Sequence, residues 1–262
     1  MDVVISYVIP TLGAIISQCL YLSTVPLIIS LRSSARQIHN NHRRKLLSRP
    51  LNHQGAEENN IDAEMVEEFQ VQIPSDEKFV AFDEESVNPF PFVAMVLVAL
   101  SNFLYGLLIR NYFVAVANSL ALILTIWMLS SVYSILIVCS RSDRTRLILE
   151  TILFAGISIV TIGHIVIFIT LAEDLKLATT LSGAFALATV IMLYSSPLST
   201  IVNVIKNRNA TQIYLPLAIA SLLNGSLWAS YGAFAVNDPV IWFPNSIGIL
   251  SSLIQIALKR LF

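Results

Sequence analysis

Apolar runs without a single Asp, Glu, Lys or Arg alternate along this chain with short stretches that carry all of its charge. The neutral runs cover residues 3–31, 86–109, 111–140, 151–172, 177–205, 209–237 and 239–258. A helix needs about 20 apolar residues to cross the hydrocarbon core of a bilayer, and every run is that long. Backbone groups in lipid must find partners within their own segment, so each run predicts a helix. A membrane barrel would need alternating segments of about 10 residues instead, and none is present. The fourth helix extends back through charged residues to 147, giving 147–172. The reading is an all-α membrane protein with seven transmembrane helices, called spans 1 to 7 here.

Composition agrees with that pattern. Only 13% of the 262 residues are charged, where a soluble domain carries about 25%. Mean hydropathy is +0.72. The net charge of -1 argues against a nucleic-acid partner. Cys19 and Cys139 both lie in apolar runs, which predicts no disulfide framework. Asp2 stands where a signal peptide would be basic, so no cleavable leader is expected.

The basic residues orient the spans. Of the 16 Lys and Arg, all but Arg110 and Lys176 fall on the side holding the C-terminus and the segments after spans 1, 3 and 5. That side is expected to be cytosolic, with the N-terminus outside. The plasma membrane is the expected location, an endomembrane the other choice. Residues 32–85 form a long cytosolic insertion. Its first part, Arg32 to Arg49, is basic without an acid; its second, Glu57 to Glu85, is dense in acids with Lys78 its one base. Block charge and low apolar content predict a disordered loop that transport can do without. Its basic part could also rest on anionic headgroups.

The two ends of the chain repeat each other. Span 1 holds L-S-T-V-P-L at 22–27 and span 5 holds Y-S-S-P-L at 194–198, each shortly before basic residues. Span 2 begins near Pro91 and ends in Tyr105-Gly106; span 6 begins near Pro216 and ends in Tyr231-Gly232. Span 3 then carries Asn118, and span 7 carries Asn245, at nearly equal distances beyond those glycines. Residues 1–140 and 177–262 therefore read as two three-helix repeats, with span 4 as a linker. An odd linker puts both repeats in the same membrane orientation, and such parallel repeats bind substrate at their interface near the midplane.

The same motifs carry a family resemblance. Y-S-S-P-L-S at 194–199, T-Q-I-Y-L-P at 211–216, L-W-A-S-Y-G at 227–232 and N-D-P-V-I-W-F-P-N-S-I-G at 237–248 resemble the second repeat of SWEET sugar transporters; spans 1 to 3 match more loosely. The resemblance implies a 3+1+3 helix fold, facilitated diffusion of mono- or disaccharides, and homo-oligomers. The long loop after span 1 departs from the family's usual form. So does Asn102, which bears on sugar preference.

The residue chemistry suits a neutral polyol. Asn both donates and accepts, as a sugar hydroxyl does. Asn118 and Asn245 are repeat equivalents that a pseudo-twofold axis could face across a pore; the plainer reading is interhelical glue. Trp228 and Asn102 stand four residues before the paired glycines, as matched wall positions. An indole can stack on a sugar ring and donate its N–H, although membrane tryptophans also serve as interfacial anchors. Asn224, one turn away, is a weaker candidate. Pro26, Pro91, Pro197 and Pro216 form a matched set of expected kinks for gating, or static kinks that aid packing. His164, alone in span 4, is expected to bond a neighbouring carbonyl. No metal-ligand cluster, nucleophile–base pair or phosphate loop suggests an enzyme, metal or cofactor. With no acid inside the neutral runs, transport is expected to be uncoupled from protons or sodium. An amino-acid transporter of the PQ-loop type and a non-transporting seven-helix receptor remain open at this point.

Overall fold

The computed structural model describes residues 3–26, 28–30, 32–33, 36–37, 40, 90–139, 143–211 and 213–262; side chains within 136–145 and at 195–196 are outside the description. The insertion between spans 1 and 2 therefore lies largely outside the described residues. Seven α-helices follow one another, and no strand occurs among the described residues: α1 Ile9–Ser23, α2 Phe90–Leu108, α3 Tyr112–Cys139, α4 Asp143–Thr170, α5 Leu175–Asn207, α6 Leu215–Ser230 and α7 Pro239–Leu261. Six helical stretches are long and apolar enough to cross a membrane. The exception, α6, has 16 residues but runs unbroken into a π-helical turn, Tyr231–Ala235.

Two triplets build the bundle. In the first, α3 packs between α1 and α2; in the second, α7 packs between α5 and α6. The triplets join where α1 meets α6 and where α2 meets α5. The six helices thus close a ring, and α4 lies outside it against α2 and α5. This is the two-repeat, linker-helix architecture expected from the sequence.

Small residues set the tightest crossings. A Cβ on Gly106 would stand 2.7 Å from the Ala115 backbone N, and one on Gly232 would stand 2.6 Å from the Trp242 backbone N. These are equivalent helix pairs, α2–α3 and α6–α7, and close approach of this kind is how helices associate without a hydrophobic drive between them. The connections match too. Arg110 and Asn237 both take left-handed backbone, at φ 54° and 51°. The Asn111 N–H donates to the Gly106 carbonyl, and the Asp238 N–H donates to the Gly232 carbonyl, both at 2.8 Å. The second loop is one residue longer, and the π turn takes up that residue, as single-turn π bulges do.

Several helix limits differ from the expected runs. α6 opens at Leu215 rather than 209. Pro216 lacks an N–H and fits the first turn, where none is needed. The preceding residues instead fold inward, with Ala210 and Ile213 packed against Ile201, Val204 and Leu258. Lys259 fixes this turn by donating to the Ala210 carbonyl at 2.7 Å. α5 opens at Leu175, where the Asp174 side chain accepts from the Leu177 N–H. α4 begins at Asp143, which puts Glu150 inside a membrane-length helix. His164 is buried, with Nδ1 2.7 Å from the Val160 carbonyl oxygen.

The glycine contacts predict a packing cost. Gly106→Ala or Gly232→Ala should destabilise the folded bundle by about 1–3 kcal/mol through overpacking. Thermal unfolding in detergent micelles measures this, and Ala257→Gly at an exposed position of α7 serves as a control for helix propensity.

Candidate functional site

Helix starts and helix junctions share the same residues at one end of the bundle, where α2 turns into α3 and α6 into α7. Asn111 precedes α3, and its Oδ1 accepts from the Val114 N–H at 3.2 Å. Asp238 precedes α7, and its Oδ1 accepts from the Val240 N–H at 2.9 Å. Each caps its own helix. Each also reaches into the opposite triplet. The Asn111 Nδ2 donates to the Tyr231 hydroxyl at 2.9 Å, and the Tyr105 hydroxyl donates to Asp238 Oδ2 at 2.7 Å. Tyr105 and Tyr231 are the tyrosines of the paired Tyr-Gly motifs. The result is a pseudo-symmetric clasp of two side-chain bonds that closes this end across the repeats. The sequence named these tyrosines only as repeat markers. The available signal was a Tyr-Gly followed by Asn in one copy and Asp in the other.

Beneath the clasp lies a buried plug of Val114, Ala117, Trp228, Tyr231 and Ile241. Aromatic edges run through it from the N-terminus inward: Tyr7 to Phe113, Phe113 to Tyr231 and Tyr231 to Trp228, with centroids 6.2, 6.1 and 6.0 Å apart. Edge-to-face contacts of this kind add stability beyond the area they bury.

Asn118 and Asn245 stand one helical turn below the plug. Asn118 Nδ2 donates to the Val114 carbonyl at 2.9 Å, and Asn245 Nδ2 donates to the Ile241 carbonyl at 2.7 Å. Val114 and Ile241 are plug neighbours, so α3 and α7 bring the two amides to the same depth. Among the described residues no donor reaches either Oδ1. Each amide therefore presents an acceptor and one further N–H.

The carbonyl just before each asparagine is also held. Gln18 of α1 donates to the Ala117 carbonyl at 2.9 Å, and Tyr194 of α5 donates to the Pro244 carbonyl at 2.9 Å. Different side chains thus fix equivalent backbone points beside Asn118 and Asn245. Pro244 was not among the expected prolines; inside α7 it frees the Val240 carbonyl from a ladder bond.

Trp228 is buried and its N–H is already engaged. Nε1 donates to Ser17 Oγ at 3.0 Å, and Ser17 donates to Asn224 Oδ1 at 2.8 Å. Gly13 makes room for the ring, since a Cβ there would stand 3.2 Å from Nε1. The expected free indole N–H is not available in this conformation, and Ser17, which the sequence reading passed over, joins α1 to α6. Asn102 donates to the Val98 carbonyl of its own helix at 2.9 Å and makes no bond to Asn118, Trp228 or Asn245.

The four prolines sit differently in their helices. Pro26 follows a break in the first helix at Thr24, whose N–H and hydroxyl both turn to the Tyr21 carbonyl. Pro197 sits inside the 33-residue α5, which continues past it. Pro216 occupies the second position of α6, where it starts the helix, and Pro91 is the second described residue of α2.

The two clasp bonds differ in kind, and that is testable. Hydrogen bonds to a charged group contribute about 1.5–3 kcal/mol and neutral ones about 0.5–1.5. Tyr105→Phe should therefore lower the unfolding free energy about twice as much as Tyr231→Phe. Thermal melts of both variants, with Asp238→Asn to close a double-mutant cycle on Tyr105, give the comparison.

Residues 180–261 match the family model described as "Sugar efflux transporter for intercellular exchange". The mouse (Mus musculus) protein "Sugar transporter SWEET1" is 26% identical over 174 residues, 66% of this chain and 75% of that protein. "Bidirectional sugar transporter SWEET7" of Arabidopsis thaliana is 28% identical over 177 residues, 66% of each. "Sugar transporter SWEET1" of Caenorhabditis elegans reaches 35% identity over 98 residues, covering 37% of this chain and 31% of that one. A solved structure titled as a eukaryotic SWEET transporter superposes with a TM-score of 0.62 at 19% identity, covering 98% of this chain and 96% of the other, which establishes the shared fold. In sequence through residues 180–261 above all, and in fold along nearly its whole length, the chain's resemblance is to the SWEET family.

Proposed function

We propose that this chain carries mono- or disaccharides across a membrane by facilitated diffusion, alternating between states open to either side. The reading rests first on one observation: paired amides, Asn118 and Asn245, bond the underside of the plug that a clasp between the repeats closes over. A clasp across the repeats can open without unfolding either one, because each triplet keeps its own packing. The named relatives are sugar transporters, and the amide pair suits hydroxyls that donate and accept. Asn118 and Asn245 are the proposed contacts; Trp228, held by Ser17, forms a wall, and Asn102 belongs to the facing wall. Pro26 and Pro197 are the proposed flexure points. By its Lys and Arg bias the basic end faces the cytosol, so the clasp closes the outer side. A plasma-membrane location and an oligomer are part of the same proposal.

The proposed sugar contacts are neutral, and the one acid of the clasp, Asp238, caps α7 at the end of the bundle. Glu150 is bonded by Tyr133 on the α3–α4 side of the bundle, and His164 lies on α4, outside the ring. A neutral substrate without a coupled ion gains nothing from membrane potential. The transporter should equilibrate sugar and not concentrate it.

Uptake of radiolabelled sugar into proteoliposomes tests the reading. Asn118→Ala and Asn245→Ala should each lower uptake at least about tenfold, the loss expected when a hydroxyl loses two bonds, with unchanged insertion. Normal uptake by both variants would remove them from the site. Imposed pH or sodium gradients should leave the final internal concentration equal to the external one, and gradient-dependent accumulation would refute uncoupled transport.

A further inference from the structure

A groove of about 550 Å³ opens on the outside of the bundle, away from the ring's interior, where α2, α3 and α4 meet. Its walls are almost wholly apolar, with Val96, Ile126, Leu129, Leu153 and Ile157 along its length. Its end nearest the basic side is polar. There the Tyr133 hydroxyl donates to the Glu150 carboxylate.

The groove follows α4 from Leu149 to Ile157 and α3 from Ile126 to Tyr133, about 12 Å of helix, and that length and volume accommodate an extended hydrocarbon chain. Its polarity selects further. The Glu150 carboxylate sits at one mouth, near the start of the membrane-length stretch of α4, where headgroups lie. A carboxylate offers about four acceptor sites, of which Tyr133 takes one. It complements a headgroup whose ammonium carries N–H donors.

We propose that this groove is a binding site for one acyl chain of an aminophospholipid such as phosphatidylethanolamine, with its ammonium on Glu150. The site lies where the linker helix contacts the first repeat, so a bound chain fills the space left between α4 and α3. It is independent of which sugar, if any, the ring carries.

Native mass spectrometry of the full chain, in micelles doped with equal phosphatidylethanolamine, phosphatidylcholine and phosphatidylglycerol, tests the site. The wild-type chain should retain phosphatidylethanolamine over phosphatidylcholine by about threefold, the size expected of a half-exposed ion pair. Glu150→Gln should erase that preference while keeping lipid retention. Leu153→Trp and Ile126→Trp, which fill the groove from opposite walls, should lower retention of all three lipids. Equal retention of the three lipids by the wild type, or full retention by a correctly eluting Trp variant, would overturn the proposal. A dimer mass that these Trp variants abolish would overturn it too, in favour of a contact between copies. If neither Trp variant folds, a phosphatidylethanolamine with a photoreactive acyl chain settles the matter on wild-type protein. Crosslinks should map to residues 126–133 and 149–157, and crosslinks elsewhere refute the site.

Discussion

Asn111 and Asp238 each serve two helices at once, and the arrangement of the bundle hangs on that double use. One oxygen of each side chain satisfies a backbone N–H at the start of its own helix, where orphan donors would otherwise be costly in an apolar setting. The remaining amide or carboxylate atom engages a tyrosine of the other repeat. The helix start and the junction between repeats are therefore coupled. The close α2–α3 and α6–α7 crossings over Gly106 and Gly232 place these residues, since the Asn111 and Asp238 N–H groups bond back to those glycines.

The repeats keep the plan and vary the chemistry. The clasp uses a charged acceptor on one side and a neutral donor on the other. The second copy has an extra loop residue and takes it up as a π turn at Tyr231–Ala235. Trp228 fills the plug from the second repeat, while its counterpart Asn102 bonds its own helix. Gln18 and Tyr194 hold equivalent carbonyls with unrelated side chains. The asymmetry gathers around the amides, with Trp228 on α6 where α2 carries Asn102. In the proposed reading, an aromatic and a polar wall suit a sugar with an apolar ring face and hydroxyl rims.

Neutral runs marked the spans because every backbone bond in lipid must be internal, and that constraint writes itself into composition. Repeat order marked the architecture because Tyr-Gly and Asn recur at nearly fixed spacing. Less was legible where one residue type has two uses. A proline near the start of a neutral run reads as a kink, but Pro216 starts a helix because the chain before it turns inward to bury Ala210 and Ile213. The clasp was hidden because Asn111 and Asp238 look like ordinary loop residues; only the fold places them against tyrosines more than a hundred positions away. Ser17 was invisible for the same reason. Its partners, Trp228 and Asn224, come from the other repeat.

The strength of the clasp bears on how such a bundle could alternate. One charged and one neutral hydrogen bond together contribute about 2–4.5 kcal/mol net of hydration. A gap of that size leaves an unclasped state at roughly 0.05–3% of the population, a minor state within the range that proteins visit. A stronger lock, such as a buried ion pair broken at one partner, would cost about 3–5 kcal/mol for a single residue and leave a charge stranded. Here the parted groups are two tyrosine hydroxyls, an amide and one carboxylate at the end of the bundle. There, entering water can hydrate them once the repeats separate. The bonds are strong enough to define a closed end and weak enough for thermal opening. The plug of Trp228 and Tyr231 must then move with them, because Tyr231 belongs to both.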